Sequence, residues 1–450
     1  MAFIKQRGKT YYVIYKYLDK EGRSRQKWEA FPSKSAAERR LKEVDYKKAV
    51  GTLVIPECRK LDDLLQEYVE SHGKERWSVS TYQANLGLIR NYISPYIGRM
   101  NISDINTRVI ETYYRKLQAL PPECTGCRCG HITPSMIRDI HKLLKSCFKM
   151  AVKWELLERN PAEYAEVPKY RPKERDIWTA EELFHAIDVC DDDGLKLCMN
   201  LAFACTMRIS EILGLTWDCI DITDEAVRED RAYLYINKQI QRVNRSALEA
   251  LDDKDVIKKF VPADEHAKSI IVLKTPKTQS SIRKVFLPKT VAGMLSEWKA
   301  KQEELKEILG SEYEDNNLVI CSEYGGPVEE NAIKKKFDKL IRENGLRKVV
   351  FHSIRHTSIT YKLRLTGGDV KAVQGDSGHA QTSMVTDVYS HILDENRIRN
   401  AEEVEAAFYS GKAPEHQKKT IPADTEDNMK VIANLLQNKE LMAVIKTMMG

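Results

Sequence analysis

No run of about eighteen apolar residues occurs in this chain, so a membrane-spanning helix of the usual ~20 residues is not expected. The opening MAFIKQRGKT lacks the apolar core of an export signal. Ten cysteines are scattered over 450 residues without a paired framework, and Cys147, Cys190, Cys198, Cys205 and Cys219 fall among apolar residues. Such usage suits reduced thiols, and the expectation is a cytoplasmic protein with no membrane partner. Internal repeats and long low-complexity tracts are lacking as well. At this length about three domains are expected, each able to bury its own core.

Strong net charge is also missing, since the chain carries only +6 overall. The distribution is more telling than the total. Residues 1–56 hold 14 Lys/Arg against 6 Asp/Glu, or +8, and the rest of the chain holds 58 against 60. A small module this basic suits phosphate binding, because each neutralised phosphate releases counterions. A solubilising tail would carry the same charge, but this segment has a folding pattern of its own. AFIKQ, TYYVIYKY and RQKWEAF are β-prone runs separated by Arg7-Gly8-Lys9 and Asp19-Lys20-Glu21-Gly22. They predict a three-stranded antiparallel sheet, with Tyr11, Val13, Tyr15 and Tyr17 on one face of the second strand and Tyr12, Ile14 and Lys16 on the other. Ser35-x-x-Glu38 then reads as a capping box for a helix running to about Val50.

Past Pro56 the apolar period changes from two to 3.6, and four helices are predicted. Leu61, Leu64, Leu65 and Tyr68 mark the first; Tyr82, Leu86, Ile89 and Ile93 mark the second. Thr107 is read as the cap of the third, Thr133-Pro134 opens the fourth, and Asn160-Pro161 is read as its stop. KYRPKERDIW reads as a linker, after which Thr179-x-x-Glu182 caps another helix. Residues 232–242 and 269–287 read as strands of a small peripheral sheet, with a charged helical insertion at 245–260 between them. A polar linker and an amphipathic helix bearing Leu435, Leu436, Leu441 and Ile445 close the chain.

Six polar residues carry the chemistry. Arg208 stands in ACTMRISEIL, Lys277 in TPKTQS, His352 and Arg355 in FHSIRHTS, His379 in SGHA and Tyr389 in VYSHI. A lone Arg-x-x-Glu is ordinarily a surface ion pair, and His-x-x-Arg is commonplace. Their common order and context are another matter: the chain resembles the tyrosine recombinases, the phage-integrase family, which cut and rejoin DNA through a phosphotyrosine.

The resemblance implies a multidomain fold, mainly α with small β. An arm-type DNA-binding domain of three strands plus a helix would occupy residues 1–56, and a SAM-like helical core-binding domain 57–168. A mixed α+β catalytic domain would occupy 175–410, with the linker and amphipathic helix in 411–450. Arg208 and Arg355 would hold phosphate oxygens with their planar forks. Tyr389 would be the nucleophile, His352 would deprotonate or orient it, and His379 would donate to the phosphate. Lys277 matches the family's β-hairpin lysine, the general acid toward the 5′ oxygen, with Lys274 and Lys284 as rivals. Glu211 matches the acidic residue that orients the site. His356 and His391 read as supporting residues. In the N-terminal module Arg7, Lys9, Lys16, Arg23, Arg25 and Lys27 are the DNA-binding candidates.

Two positions depart from the family pattern: Thr206 stands where glycine is common, and Ser377 where leucine is. The insertion PPECTGCRCGH lies outside that pattern altogether. Its Cys124, Cys127, Cys129 and His131 fit a structural zinc site, surface thiols or a redox pair; catalysis itself calls for no cofactor.

The implied function is that of a site-specific recombinase integrating and excising a prophage or conjugative transposon. Its partners would be double-stranded DNA at core and arm sites, three further copies in a homo-tetramer, an excisionase and a host DNA-bending protein. The rival readings are a type IB topoisomerase-like relaxing enzyme and an inactive DNA-binding architectural protein.

Overall fold

The computed structural model describes residues 2–18, 24–49, 60–120, 132–169 and 176–378 apart from 263 and 265, together with 382, 401, 402, 404 and 405. It divides into two compact units, Met1–Arg355 and His356–Gly450. Among the described residues no helix is long and apolar enough to cross a membrane.

The N-terminal strands β1 (Phe3–Arg7), β2 (Thr10–Leu18) and β3 (Ser24–Phe31) form an antiparallel sheet in sequence order, as the alternation predicts. Helix α1 (Lys34–Ala49) is packed on it through Ala37, Leu41 and Val44, which meet Tyr11, Val13 and Tyr15. The helix is capped by Ser33, whose hydroxyl accepts from the Ala36 N–H, and not by Ser35. Ser35 falls inside the first turn, so the expected box with Glu38 does not form. Arg40 ties helix to sheet, its Nε donating to Glu29 at 2.7 Å while the Tyr15 hydroxyl donates to the same carboxylate at 2.6 Å.

A helical module follows. Helix α2 (Leu61–Tyr68) runs through a π-helical turn, Val69–Gly73, into α3 (Lys74–Arg76). Helix α4 (Val79–Leu88) likewise continues as a π-helical stretch to Gly98, where Pro95 inside the helix has no N–H for the regular ladder. Asn106 caps α5 (Thr107–Gln118), accepting from Val109 N at 3.1 Å, so Thr107 is its first residue and not its cap. Thr133 caps α6 (Pro134–Lys153) with proline in the first turn, as predicted. That helix ends at Lys153, well before Asn160-Pro161. Glu155 takes a left-handed conformation at φ 60° and turns the chain, and the Leu156 N–H bonds back to the Ala151 carbonyl. Leu61, Leu64, Ile93, Ile110, Ile140, Leu144 and Phe148 form the module's core.

The remainder of this unit opens on α7 (Ala180–Asp188), whose Thr179–Glu182 capping box is formed as predicted. Helices α8 (Asp193–Ala204) and α9 (Ile209–Leu213) lead through β4 (Ile220–Asp221) and α10 (Asp224–Arg228) to β5 (Tyr233–Ile236) and β6 (Gln239–Asn244). The insertion is helical only over α11 (Arg245–Ala250); its second half is a strand, β7 (Val256–Phe260). Charge on Lys258 and Lys259 masks the strand locally, and pairing with β8 (Ser269–Lys274) makes it. Two three-stranded sheets result in place of one: β6-β8-β7, and β4-β5-β9 with β9 spanning Arg283–Phe286. Helices α12 (Lys289–Leu309) and α13 (Glu330–Glu343) follow, and the unit closes on the first residues of α14 (Ser353–Leu365). The core joins Leu197, Leu201, Ile212, Leu234, Leu295, Phe337 and Ile354.

The helical module meets this part of the unit in a separate apolar cluster. Val69, Val79 and Tyr82 pack with Val243, Leu248, Ile270 and Val272. In the second unit, α15 (Val370–Ser377) ends on Gly378 in the left-handed conformation that glycine adopts without steric cost. Ser377, the departure from the family's leucine, is fully buried, and its hydroxyl donates to the Gln374 carbonyl.

Candidate active site

Arg208 is the residue preceding α9, with extended backbone dihedrals, and Glu211 sits in that helix's first turn. The spacing lets one carboxylate serve twice. Glu211 Oε2 accepts from the Arg208 backbone N–H at 3.0 Å, and Oε1 accepts from Arg208 Nη1 at 2.7 Å. Two donors of Arg208 on one carboxylate at a helix start satisfy a backbone N–H that the helix cannot and lock the side chain. The Arg208 side chain stays 30% exposed while Glu211 is buried, which leaves the guanidinium an outward face.

Behind α9 the backbone comes very close to β6. A Cβ on Gly214 would stand 2.5 Å from the Gln239 Cα, so only glycine permits this contact. The approach seats the end of α9 against the sheet.

Arg355 reaches the same place from α14. It is 2% exposed, and its Nη1 donates to the Thr206 carbonyl. Thr206 has φ +52°, the left-handed region that disfavours a β-branched residue. That conformation accounts for the glycine common there in the resembling family, and the buried threonine here adopts it all the same.

A third arginine, Arg283 on β9, completes the cluster. Its Nη2 donates to Glu211 Oε2 at 3.0 Å and to the Thr206 carbonyl at 3.2 Å, and its Nη1 donates to the Ser281 carbonyl at 3.0 Å. No motif in the sequence singles it out. Its signal was an arginine at an inward position of a short strand, where Arg283 and Val285 are buried while Lys284 and Phe286 face out.

The electrostatics follow from this packing. Burial raises the Glu211 pKa, but the charge and hydrogen bond of Arg283, with the charge of Arg208, outweigh it and hold the carboxyl below its usual 4.5. Burial, and after it the charge of Arg208, pushes the Arg355 guanidinium down to about 9. Three guanidiniums, Arg208, Arg283 and Arg355, thus gather around one carboxylate, and an anion-binding site requires such an excess of cationic groups.

Lys277 lies in the connection between β8 and β9. These strands pair in different sheets, so the connection is not the hairpin that the resemblance implied. Its side chain is exposed, with Nζ 3.5 Å from the Thr81 hydroxyl of the helical module. Lys274 is 2% exposed on β8, its pKa lowered by burial, and it lines with Lys277, Ser78, Ser210 and Gln239 a cavity of about 390 Å³. Lys284 points elsewhere, with Nζ 3.5 Å above the Tyr233 ring. His352 is exposed and precedes α14, whereas Arg355 lies within it.

His379, Tyr389 and His391 fall outside the described residues, as do Cys124, Cys127, Cys129, His131, Arg23 and the C-terminal amphipathic segment. Among the described residues no group of three or more His, Cys, Asp or Glu is arranged to hold a metal ion.

In the N-terminal sheet, register sorts the basic residues between faces. Lys5 pairs with Tyr12, Ile14 with Trp28 and Lys16 with Gln26, which places Lys5, Arg7, Tyr12, Lys16 and Trp28 on the face away from α1. Arg7 lies 5.0 Å and Lys5 6.0 Å from the Trp28 ring centre, and Trp28 is 41% exposed. Arg25 and Lys27 pair with Tyr17 and Tyr15 on the other side, where Lys27 Nζ is 3.7 Å from Glu29. Lys9 is in the turn between β1 and β2. Lys5, Tyr12 and Trp28 were not singled out from the sequence; pairing them requires the strand register.

The Phage integrase family pattern matches residues 263–396, and that of the Phage integrase, N-terminal SAM-like domain, matches 60–118. A Tyrosine recombinase XerC-like protein of Caldanaerobacter subterraneus is 25% identical over 89% of this chain and 97% of its own length. The ICEBs1 integrase of Bacillus subtilis is 24% identical over 72% of this chain and 77% of its own. Among solved structures, the Tn1549 transposon integrase in complex with transposon right end DNA superposes with a TM-score of 0.58 at 17% identity. It covers 76% of this chain and 99% of that one, a likeness of fold. The chain thus carries the domains of the phage integrase family, the tyrosine recombinases, together with the DNA strand-transfer activity that this family supports.

Proposed function

We propose that this chain is the integrase of a prophage or conjugative transposon, cleaving and rejoining DNA through a 3′-phosphotyrosyl bond formed by Tyr389. The observation that carries the reading is the buried cluster of Arg208, Glu211, Arg283 and Arg355, with a surplus of cationic charge and Arg208 partly open to solvent. Arg208 and Arg355 neutralise the nonbridging oxygens of the scissile phosphate as it becomes pentacoordinate. Tyr389 Oη attacks phosphorus, a P–O bond forms to the tyrosine, and the bond to the 5′ oxygen breaks. His352 takes the phenol proton, Lys277 delivers one to the leaving oxygen, and His379 donates to the phosphate. The phosphotyrosyl bond keeps the energy of the phosphodiester, so religation to another 5′-hydroxyl calls for neither ATP nor a metal.

The open face of the N-terminal sheet, with Lys5, Arg7 and Lys16 around Trp28, suits an arm-type DNA site. The helical module and the remainder of its unit suit the core site. Four protomers acting in the cytoplasm on two duplexes would then exchange strands, with an excisionase and a DNA-bending protein setting direction. The test is recombination between two plasmids carrying the sequences that flank this gene, with purified protein, EDTA and no ATP. Recombinant junctions support the proposal; relaxation of supercoiled DNA without junctions makes the protein a topoisomerase-like enzyme instead.

A further inference from the structure

Glu211 presents a problem of charge. Its carboxylate holds Arg208 at 2.7 Å, and so offsets one of the positive charges that Arg208 and Arg355 would offer a phosphate. A phosphodiester carries a single negative charge, and attack by a tyrosine oxygen raises the charge on pentacoordinate phosphorus toward two. Beside the donors Lys277 and His379, two guanidiniums sharing one carboxylate bring a net charge of only one to that transition state.

Arg283 restores the balance. Its side chain is 5% exposed, and it takes the Glu211 oxygen that Arg208 Nη1 does not: Arg208 Nη1 binds Oε1 and Arg283 Nη2 binds Oε2. The fork is fixed from behind by the Ser281 carbonyl and shares the Thr206 carbonyl with Arg355. Burying a pair of this kind costs more desolvation than a surface pair and is weak evidence of a purely stabilising role. We infer that Arg283 is a positioning residue of the strand-transfer reaction: it neutralises Glu211, leaving the charges of Arg208 and Arg355 to the scissile phosphate, and fixes the carbonyl on which Arg355 is seated. This rests on the tyrosine-recombinase reading above.

The experiment uses the full chain and a nicked duplex made from the sequence flanking its gene, and reads single-turnover formation of the covalent protein–DNA complex. Arg283→Gln slows the step by roughly 100-fold or more, the scale for removing one preorganised charge interaction. Arg283→Lys, which restores the charge without the fork, retains more of the rate. The discriminating variant is Arg283→Gln combined with Glu211→Gln. With the uncompensated carboxylate removed, the double variant recovers about tenfold or more over Arg283→Gln alone, a rescue that a merely structural arginine would not show. The acid limb of the pH profile also moves up in Arg283→Gln, because Glu211 is no longer held below its usual range. Circular dichroism checks folding; should Arg283→Gln fail to fold, Arg283→Lys and its pH profile carry the comparison. An Arg283→Gln rate within about twofold of wild type, or a double variant slower than the single one, overturns the inference. Failure of the wild type itself to form the complex overturns the recombinase reading and the inference with it.

Discussion

Arg283 and Arg355, from a strand and a helix far apart in sequence, donate to the same oxygen, the Thr206 carbonyl. The acceptor is aimed by a left-handed residue, Thr206 at φ +52°. Glycine adopts that conformation freely, whereas an L-residue gives up about 1–2 kcal/mol. Thr206→Gly removes the strain but adds backbone freedom to the unfolded chain, about 0.5–1 kcal/mol, and removes a buried side chain. The outcome expected is a stability within about 1 kcal/mol of wild type and cleavage largely kept, read by urea unfolding and covalent-complex formation. A large loss of both would show that the threonine side chain, and not the carbonyl, is what the site requires.

Gly214 sets where α9 meets β6. A methyl there meets the Gln239 backbone at 2.5 Å and has nowhere to go. Gly214→Ala is expected to destabilise the fold by about 1–3 kcal/mol, the usual scale of overpacking, and to slow cleavage as Arg208 shifts. Unchanged melting temperature and rate would mean that the two elements separate without consequence.

Glu211 gives the fold a defined acid sensitivity. Its folded pKa lies below the usual 4.5, so its contribution to stability is fully present above that value and is lost as pH falls through the lowered one. The stability difference between wild type and Glu211→Gln should therefore be constant near neutrality and shrink in acid. Denaturant midpoints measured across the acid range check this; a difference that grows in acid has the wrong sign for the pairing.

The two faces of the N-terminal sheet predict different salt responses. Arg7→Ala and Lys16→Ala, on the open face, should each lower the slope of log affinity against log salt by about 0.9 for every phosphate that the variant no longer neutralises. Lys27→Ala, on the helix face beside Glu29, should leave it unchanged. Fluorescence anisotropy with arm-site duplexes distinguishes them, and equal effects would mean that the open face is not the DNA-binding one.

Local chemistry was well legible in the sequence. The Thr179–Glu182 box, the Thr133-Pro134 helix start and the three N-terminal strands are decided by neighbouring residues. Where two neighbours could cap, the choice went the other way: Ser33 caps in place of Ser35, and Asn106 in place of Thr107. Pairing at a distance was harder to read. β7 looks helical because its charges hide its alternation until β8 is beside it. Lys277 looked like a hairpin residue because nothing local says that β8 and β9 join different sheets. In the candidate site, Arg208, Glu211 and Arg355 were named from their motifs, whereas Arg283 was not. Its partners Glu211 and Thr206 are brought to it only by the fold.

The most direct test of the account is to trap the covalent intermediate. The full-length protein is incubated in EDTA with a nicked suicide duplex carrying the sequence that flanks its gene, and the adduct is digested and mapped. A 3′-phosphotyrosyl peptide containing Tyr389 is expected, and no adduct with Tyr389→Phe or Arg355→Ala. An adduct mapped to another residue, one that survives Tyr389→Phe, or none at all with wild type would contradict it.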